Sequence, residues 1–383
     1  MSESTKLSEP SDSDNVTHID NGKNEMKQKW DVLKESICPN MVPNADIWSL
    51  LFELARVELG FAKERLPTNP LDANFTKQFF TFSSGGVGYT SSDKIHHMVY
   101  LRVWKAGNDQ IRKNLMTTLS EQDGSKTWER KGRLLEAYDN GWPGLWSPIP
   151  KIQLNQTCIV TAVRDPISHF ISGYNEMEYR VAAKHPGHQW KTRQNPHPNH
   201  FARFENGTEI RFEQFVTDLV GGAASSSNIF PSMPHWNIYH VFSMTGVLWE
   251  LKRMRDTLGV VDAPHLTAYL PTVDNLNTEF PKFLSRSCNG IPPTAEKPWN
   301  TTLGDHESRE DEFGFYNAAK RVWKNQDKIS RALCAIHTLD YACFDKLPLP
   351  DLCQSLYTSD RFHNELIKAA TEEREKGKQI IAR

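Results

Sequence analysis

The 383-residue chain has no run of about 20 consecutive apolar residues, so nothing in it reads as a helix that crosses a bilayer. Its start also lacks the basic-then-apolar order of a secretory signal, and the expectation is a soluble cytoplasmic protein. Charge of one sign is missing too. Forty-five Lys and Arg stand against 47 Asp and Glu, a formal net charge of -2. This gives no global attraction to nucleic acid or to an anionic membrane, so any anion must be held by a local cluster of donors. Cysteine is sparse: Cys38, Cys158, Cys288, Cys334, Cys343 and Cys353 are too few for a disulfide scaffold, although the clustering of the last three leaves a disulfide possible. Five Asn-x-Ser/Thr sequons (Asn15, Asn74, Asn155, Asn206, Asn300) would suit a secreted chain, and in an Asn- and Thr-rich sequence several arise by chance. There is no internal repeat and no G-x-x-x-x-G-K-[ST], which disfavours a nucleotide kinase or NTPase.

What is present is ordinary globular material, 38% apolar and 24% charged, enough for a large core. Residues 1–27 are mostly Ser, Asp, Glu, Asn and Lys, too polar to repay the entropy of ordering, and read as a flexible tail. A single catalytic domain over 28–353 and a charged C-terminal helix over 354–383 follow. The stretch from Trp30 to Leu66 has helical periodicity, as do Ile167 to Val181, Arg211 to Gly222 and Phe315 to Leu339. Gln78 to Ser84 (QFFTFSS) is a short strand candidate ending at Gly85-Gly86, and Gly246 to Leu258 reads as a strand followed by a helix. Strands separated by helices predict an α/β fold, a parallel sheet flanked by helices, which binds ligands at the carboxyl ends of its strands.

Two segments sit at such ends. In VYLRVWKAGNDQIRKNL, Val99 to Leu115, an apolar run halts at Lys105-Ala106-Gly107, after which Ile111, Leu115 and Leu119 recur at helical spacing behind Asn108. A glycine turn, a helix N-terminus and a lysine aimed at one point form a cradle for phosphate; the plain alternative is a lysine that ends a strand in water. In VRDPISHFISGY, Val163 to Tyr174, Arg164 follows the strand TCIVTAV and offers a planar fork of donors, with Ser172 a hydroxyl further along. Asp165-Pro166 is a helix-start signal, so an Arg–Asp pair capping an ordinary helix also fits.

Together, a basic residue with a glycine turn after one strand and, 59 residues later, R-D-P-x-x-x-x-x-S-x-Y after another resemble the sulfotransferases that use 3′-phosphoadenosine 5′-phosphosulfate (PAPS), specifically the carbohydrate sulfotransferase branch. FEQFV (Phe212 to Val216), His235-Trp236 and IHTLDYACFDKLPLP (Ile336 to Pro350) fall in a similar order. The resemblance implies a P-loop-like sulfotransferase fold and a sulfuryl transfer from PAPS to a hydroxyl on a carbohydrate or small molecule. It assigns the 5′-phosphosulfate to Lys105, Ala106, Gly107, Asn108, Asp109 and Gln110, and the 3′-phosphate to Arg164 and Ser172. Lys105 would also stabilise the leaving phosphate. Two positions depart from the family pattern: Asp109 stands where Thr or Ser is usual, and His169 where a second Arg is frequent. The first keeps open a non-catalytic nucleotide-binding protein on the same fold; the second would make 3′-phosphate binding weaker or pH-dependent.

A general base should take the acceptor proton, and in several branches it is a glutamate a little over twenty residues after the lysine, which points to Glu129, with Glu121 and Glu136 as rivals. His185, His188, His197 and His200 invite a zinc reading, but each pair holds a proline in a polar loop with no cysteine nearby, and sulfuryl transfer needs no metal; Lys184 to Phe204 is read instead as a loop near the acceptor mouth. His235-Trp236 fits adenine or sugar stacking and plain core packing equally. The missing membrane span departs from Golgi members of the branch; a Golgi lumen location is the alternative to the cytoplasm.

Overall fold

The structure, a computed structural model, describes residues 13–38, 47–61, 70–83, 85–120, 125–131, 149, 151–182, 207–221, 239–258, 265–289, 299 and 313–381. Five strands form one sheet in the order β3 (Lys126–Lys131), β1 (Gly85–Thr90), β2 (His97–Leu101), β4 (Cys158–Ala162) and β5 (Ala268–Leu270). β2, β4 and β5 pair in parallel, as the alternation of strands and helices predicts. The other half differs: β1 runs antiparallel to both β2 and β3, so the sheet is mixed. β3 is a polar strand, tolerable at an edge where one side of its ladder faces outward. Its Trp128 lies over Gly88, where a Cβ would fall 2.1 Å from the indole, so the glycine is what lets the ring approach.

Alternation along the strands feeds two cores. Met98, Tyr100, Val160, Ala162 and Leu270 point to one face and pack with Ile111, Leu115 and Leu119 of α4 (Asn108–Ser120), as the i, i+4, i+8 spacing requires. Phe280, Phe283 and Leu284 of a helix over Leu276–Ser287 complete that side. Val99, Leu101, Ile159, Val163 and Tyr269 point to the other face, into a larger core shared with α2 (Ile47–Glu58), α3 (Pro70–Thr81) and α5 (Pro166–Ala182). The α/β class with helices on both faces is therefore the observed one.

α1 (Ser13–Ile37) precedes these, beginning within the stretch expected to be a tail. α6 (Glu209–Val220) and α7 (Gly246–Leu258) follow α5; the helix over Leu276–Ser287 is α8. The chain then runs through α9 (Phe315–Asn325), α10 (Asp327–Ile336), α11 (Thr338–Cys343), α12 (Asp351–Tyr357) and α13 (Asp360–Ile381). Two strand expectations are corrected. Gln78 to Thr81 is the end of α3, because Phe75 and Phe79 share a helical face that packs edge-on against Phe52. Gly246 to Leu258 is helix throughout, its Val247, Leu248, Leu251 and Met254 buried at helical spacing.

All six cysteines are paired, which corrects the expectation that they are too few for a disulfide framework. Cys38–Cys343 ties the end of α1 to the end of α11, Cys334–Cys353 joins α10 to α12, and Cys158–Cys288 fastens the start of β4 to the end of α8. Among the described residues no helix is long and apolar enough to cross a membrane.

Candidate active site

The tips of β2, β4 and β5 lie side by side, and both motifs emerge there. β2 ends at Leu101, and the chain reaches α4 through a turn in which Lys105 (φ 57°) and Gly107 (φ 67°) both adopt left-handed conformation. For a lysine this costs about 1–2 kcal/mol, a strain that clusters at ligand-binding turns. Glycine at 107 is required twice over: its φ is positive, and a Cβ there would fall 2.0 Å from Leu276 Cδ1 at the start of α8. Left-handed residues at alternate positions bend a backbone into a concavity of N–H groups, and α4 begins beside it with its own unpaired N–H groups and positive dipole end. Gln110 is tied to the start of α8 by donating from Nε2 to Asn277 Oδ1.

Asp109 does not face this concavity. Its Oδ1 lies 3.4 Å from Arg102 Nη2 and 3.6 Å from Arg112 Nη2, while Asn108 Oδ1 accepts from Arg102 Nε at 3.2 Å. The Arg102 guanidinium sits 4.0 Å over the Trp104 ring, so the flank of the turn is a packed charge network. Glu129, on β3, belongs to this network: Arg112 Nη1 donates to its Oε1 at 2.6 Å. The structure brings Glu129 to an arginine of α4, while Lys105 pairs with Glu176.

The other side of the turn faces β4 and α5. Arg164 Nη1 donates to the Lys105 carbonyl at 3.2 Å, so the lysine and arginine of the two motifs meet at one place. Burial lowers the pKa of Arg164 from the ordinary arginine value, and Tyr316, Asp165 and Asp274 oppose the shift. Asp165 caps α5, its Oδ1 accepting the Ser168 N–H at 2.7 Å, while its Oδ2 accepts the Tyr341 hydroxyl at 2.9 Å. Lys105 Nζ lies 3.1 Å from Glu176 Oε2, one helical turn beyond Ser172 on the same side of α5.

His169 takes no part in anion binding as an imidazolium. Its Nε2–H donates to the Trp104 carbonyl at 2.7 Å, and burial pushes its pKa down to about 3, against a smaller upward pull from Asp340. The buried ring, committed to a backbone carbonyl, gives no support to a pH-dependent 3′-phosphate contact through it.

Lys105 and Arg164 stand just beyond the ends of β2 and β4, as the motifs suggest, and Ser172 lies in α5. Motif reading missed Glu176, although the i, i+4 spacing from Ser172 carried the signal, and it missed Asn277, which only the fold brings to Gln110. A cavity of about 100 Å³ bordered by Glu53, Phe61 and Arg361 lies on α2 and α13, away from the strand tips. Glu121, Glu136, His185, His188, His197, His200, His235 and Trp236 lie outside the described residues, as does the loop over 184–204.

Residues 90–258, the segment that carries the turn, both motifs and α5 to α7, match the model of the sulfotransferase family. Over that stretch the chain is similar to this family, and the resemblance read from the motifs is borne out there. The likeness over that stretch supports sulfuryl transfer in general. No curated protein and no solved structure gives a match.

Proposed function

We propose that the protein transfers the sulfuryl group of PAPS to a hydroxyl acceptor, a carbohydrate or a small molecule. One observation carries this reading: the 3.2 Å hydrogen bond from Arg164 to the Lys105 carbonyl joins the two motifs at the ends of neighbouring strands. The donor set fits a doubly phosphorylated nucleoside. Lys105 with the backbone of Ala106, Gly107, Asn108, Asp109 and Gln110 would hold the 5′-phosphosulfate, and Arg164 with Ser172 the 3′-phosphate. The donor, when bound, supplies an activated sulfur–oxygen bond to a phosphate leaving group. Lys105 places an ammonium where negative charge grows on the leaving oxygen, and α4 adds its dipole; this is the preorganised electrostatics on which such transfers depend. Asp109 was the best argument for a non-catalytic relative. Its engagement with Arg102 and Arg112 removes the repulsion that argument needed.

Three disulfides support an oxidising compartment, such as the lumen of the secretory pathway, over the expected cytoplasm. Asn155, of the sequon Asn155-Gln156-Thr157, is exposed. Glycosidase treatment of the protein from its native cells should then increase its mobility; free thiols at all six cysteines in that material would return it to the cytoplasm.

The donor reading is tested by thermal unfolding with PAPS, adenosine 3′,5′-bisphosphate (PAP) and ATP, followed by a labelled-sulfate transfer screen against extracts of the source cell. Stabilisation by PAPS and PAP but not ATP, with a labelled product, is expected. Stabilisation with no product from any acceptor would make it a nucleotide-binding protein.

A further inference from the structure

Glu129 is held by Arg112. Glu176 is placed differently. Its Oε2 lies 3.1 Å from Lys105 Nζ, and the two side chains are 22% and 28% exposed, so the pair is half withdrawn yet open to a ligand. α5 presents Glu176 one turn beyond Ser172, beside a lysine whose backbone is held by Arg164. A carboxylate here works against anion binding, since it repels the phosphates that Lys105 and Arg164 attract. Anion binding alone gives no reason for an acid at this point. Proton acceptance does, since a partly exposed carboxylate beside the cation of the leaving side can take a proton from an acceptor hydroxyl.

We infer that Glu176 is the general base of the transfer, standing beside Lys105 on the side of α5 that carries Ser172. The inference rests on the sulfotransferase reading above. In the step itself, the acceptor oxygen forms a bond to sulfur as the bond from sulfur to the bridging phosphate oxygen breaks. The electron pair of the broken bond stays on the phosphate, beside the Lys105 ammonium. The hydroxyl proton passes to the Glu176 carboxylate and from there to water. Lys105 and Glu176 thus separate two tasks, charge on the leaving side and the proton on the attacking side.

The test compares wild type with Glu176→Gln, Glu176→Asp and Glu129→Gln, using calorimetric titration with PAP and labelled transfer from PAPS to the acceptor that the extract screen yields. Glu176→Gln should bind PAP at least as tightly as wild type, because a negative charge has gone, while turnover falls by about 10²–10⁴-fold. Glu176→Asp should recover part of that loss, and Glu129→Gln should stay within about tenfold of wild type. Turnover of Glu176→Gln within threefold of wild type overturns the assignment. So does a loss of PAP affinity in step with turnover, which would make Glu176 a support of the donor site. Wild type that fails to bind PAP sinks the sulfotransferase reading and this assignment together; wild type that binds PAP, with an active Glu176→Gln, sinks this assignment alone.

Discussion

At the end of β2 the chain turns through two left-handed residues, Lys105 and Gly107, and the side chains of Asn108 and Asp109 are drawn sideways to Arg102. At the end of β4 it enters α5 without a left-handed residue, and Asp165 closes the helix with one carboxylate oxygen while the other takes the Tyr341 hydroxyl. The first tip carries strain and keeps its lysine on a partly exposed partner; the second is relaxed and anchored to α11. A binding site benefits from both. The anchored tip fixes Arg164, and the strained one leaves backbone N–H groups and an ammonium to be satisfied by a ligand.

Breaking the first tip should have the largest effect. Lys105→Ala is expected to reduce turnover by about 10²–10³-fold, measured as labelled sulfate transferred per enzyme, with the fold intact by circular dichroism. Arg164→Ala at the second tip removes a charged donor together with the bond to the Lys105 carbonyl, and PAP affinity by calorimetry should fall about 10–100-fold. Gly107→Ala forces a Cβ onto Leu276 at positive φ and should cost about 1–3 kcal/mol in denaturant unfolding; the value isolates the backbone strain from the charge. Asp165→Ala removes a helix cap and should cost about 1 kcal/mol by the same measurement.

His169 sharpens the comparison from the opposite direction, since no effect on binding is expected. Its folded pKa is about 3, below the ordinary 6.5, so the ring stays neutral and its NMR signals should not titrate between pH 8 and 5. Because the unfolded chain takes up this proton near pH 6.5 and the folded chain does not, His169 lowers stability as pH falls from that value toward 3. PAP affinity should show no step from this ring in the same range.

Much of the site was legible because it is local. A strand, a glycine turn and a helix repeat, or Arg-Asp-Pro before a helical pattern, fit within a dozen residues, and Lys105, Arg164 and Ser172 were found from such spacing alone. The contacts that decide their behaviour are long-range. Nothing near Asp109 in the sequence says that Arg102 and Arg112 will claim it, and Glu129 looked like a base until β3 brought it against Arg112. The same limit holds for the sheet. β2 and β4 are apolar and were readable; β1 is rich in glycine, β3 is polar because it is an edge, and β5 has three residues, too few to show a period. The QFFTFSS stretch misled because its aromatic residues favour strands, and only their packing with Phe52 and Phe242 makes the segment helical.

The Cys38–Cys343 bond closes a ring of backbone with 305 residues of separation, and the whole sheet lies inside it. A protease that cuts one peptide bond between those two cysteines would therefore release no fragment: the pieces stay joined, migrating as one species until a reductant is added. Damage of that kind in a surface connection would be invisible on an unreduced gel.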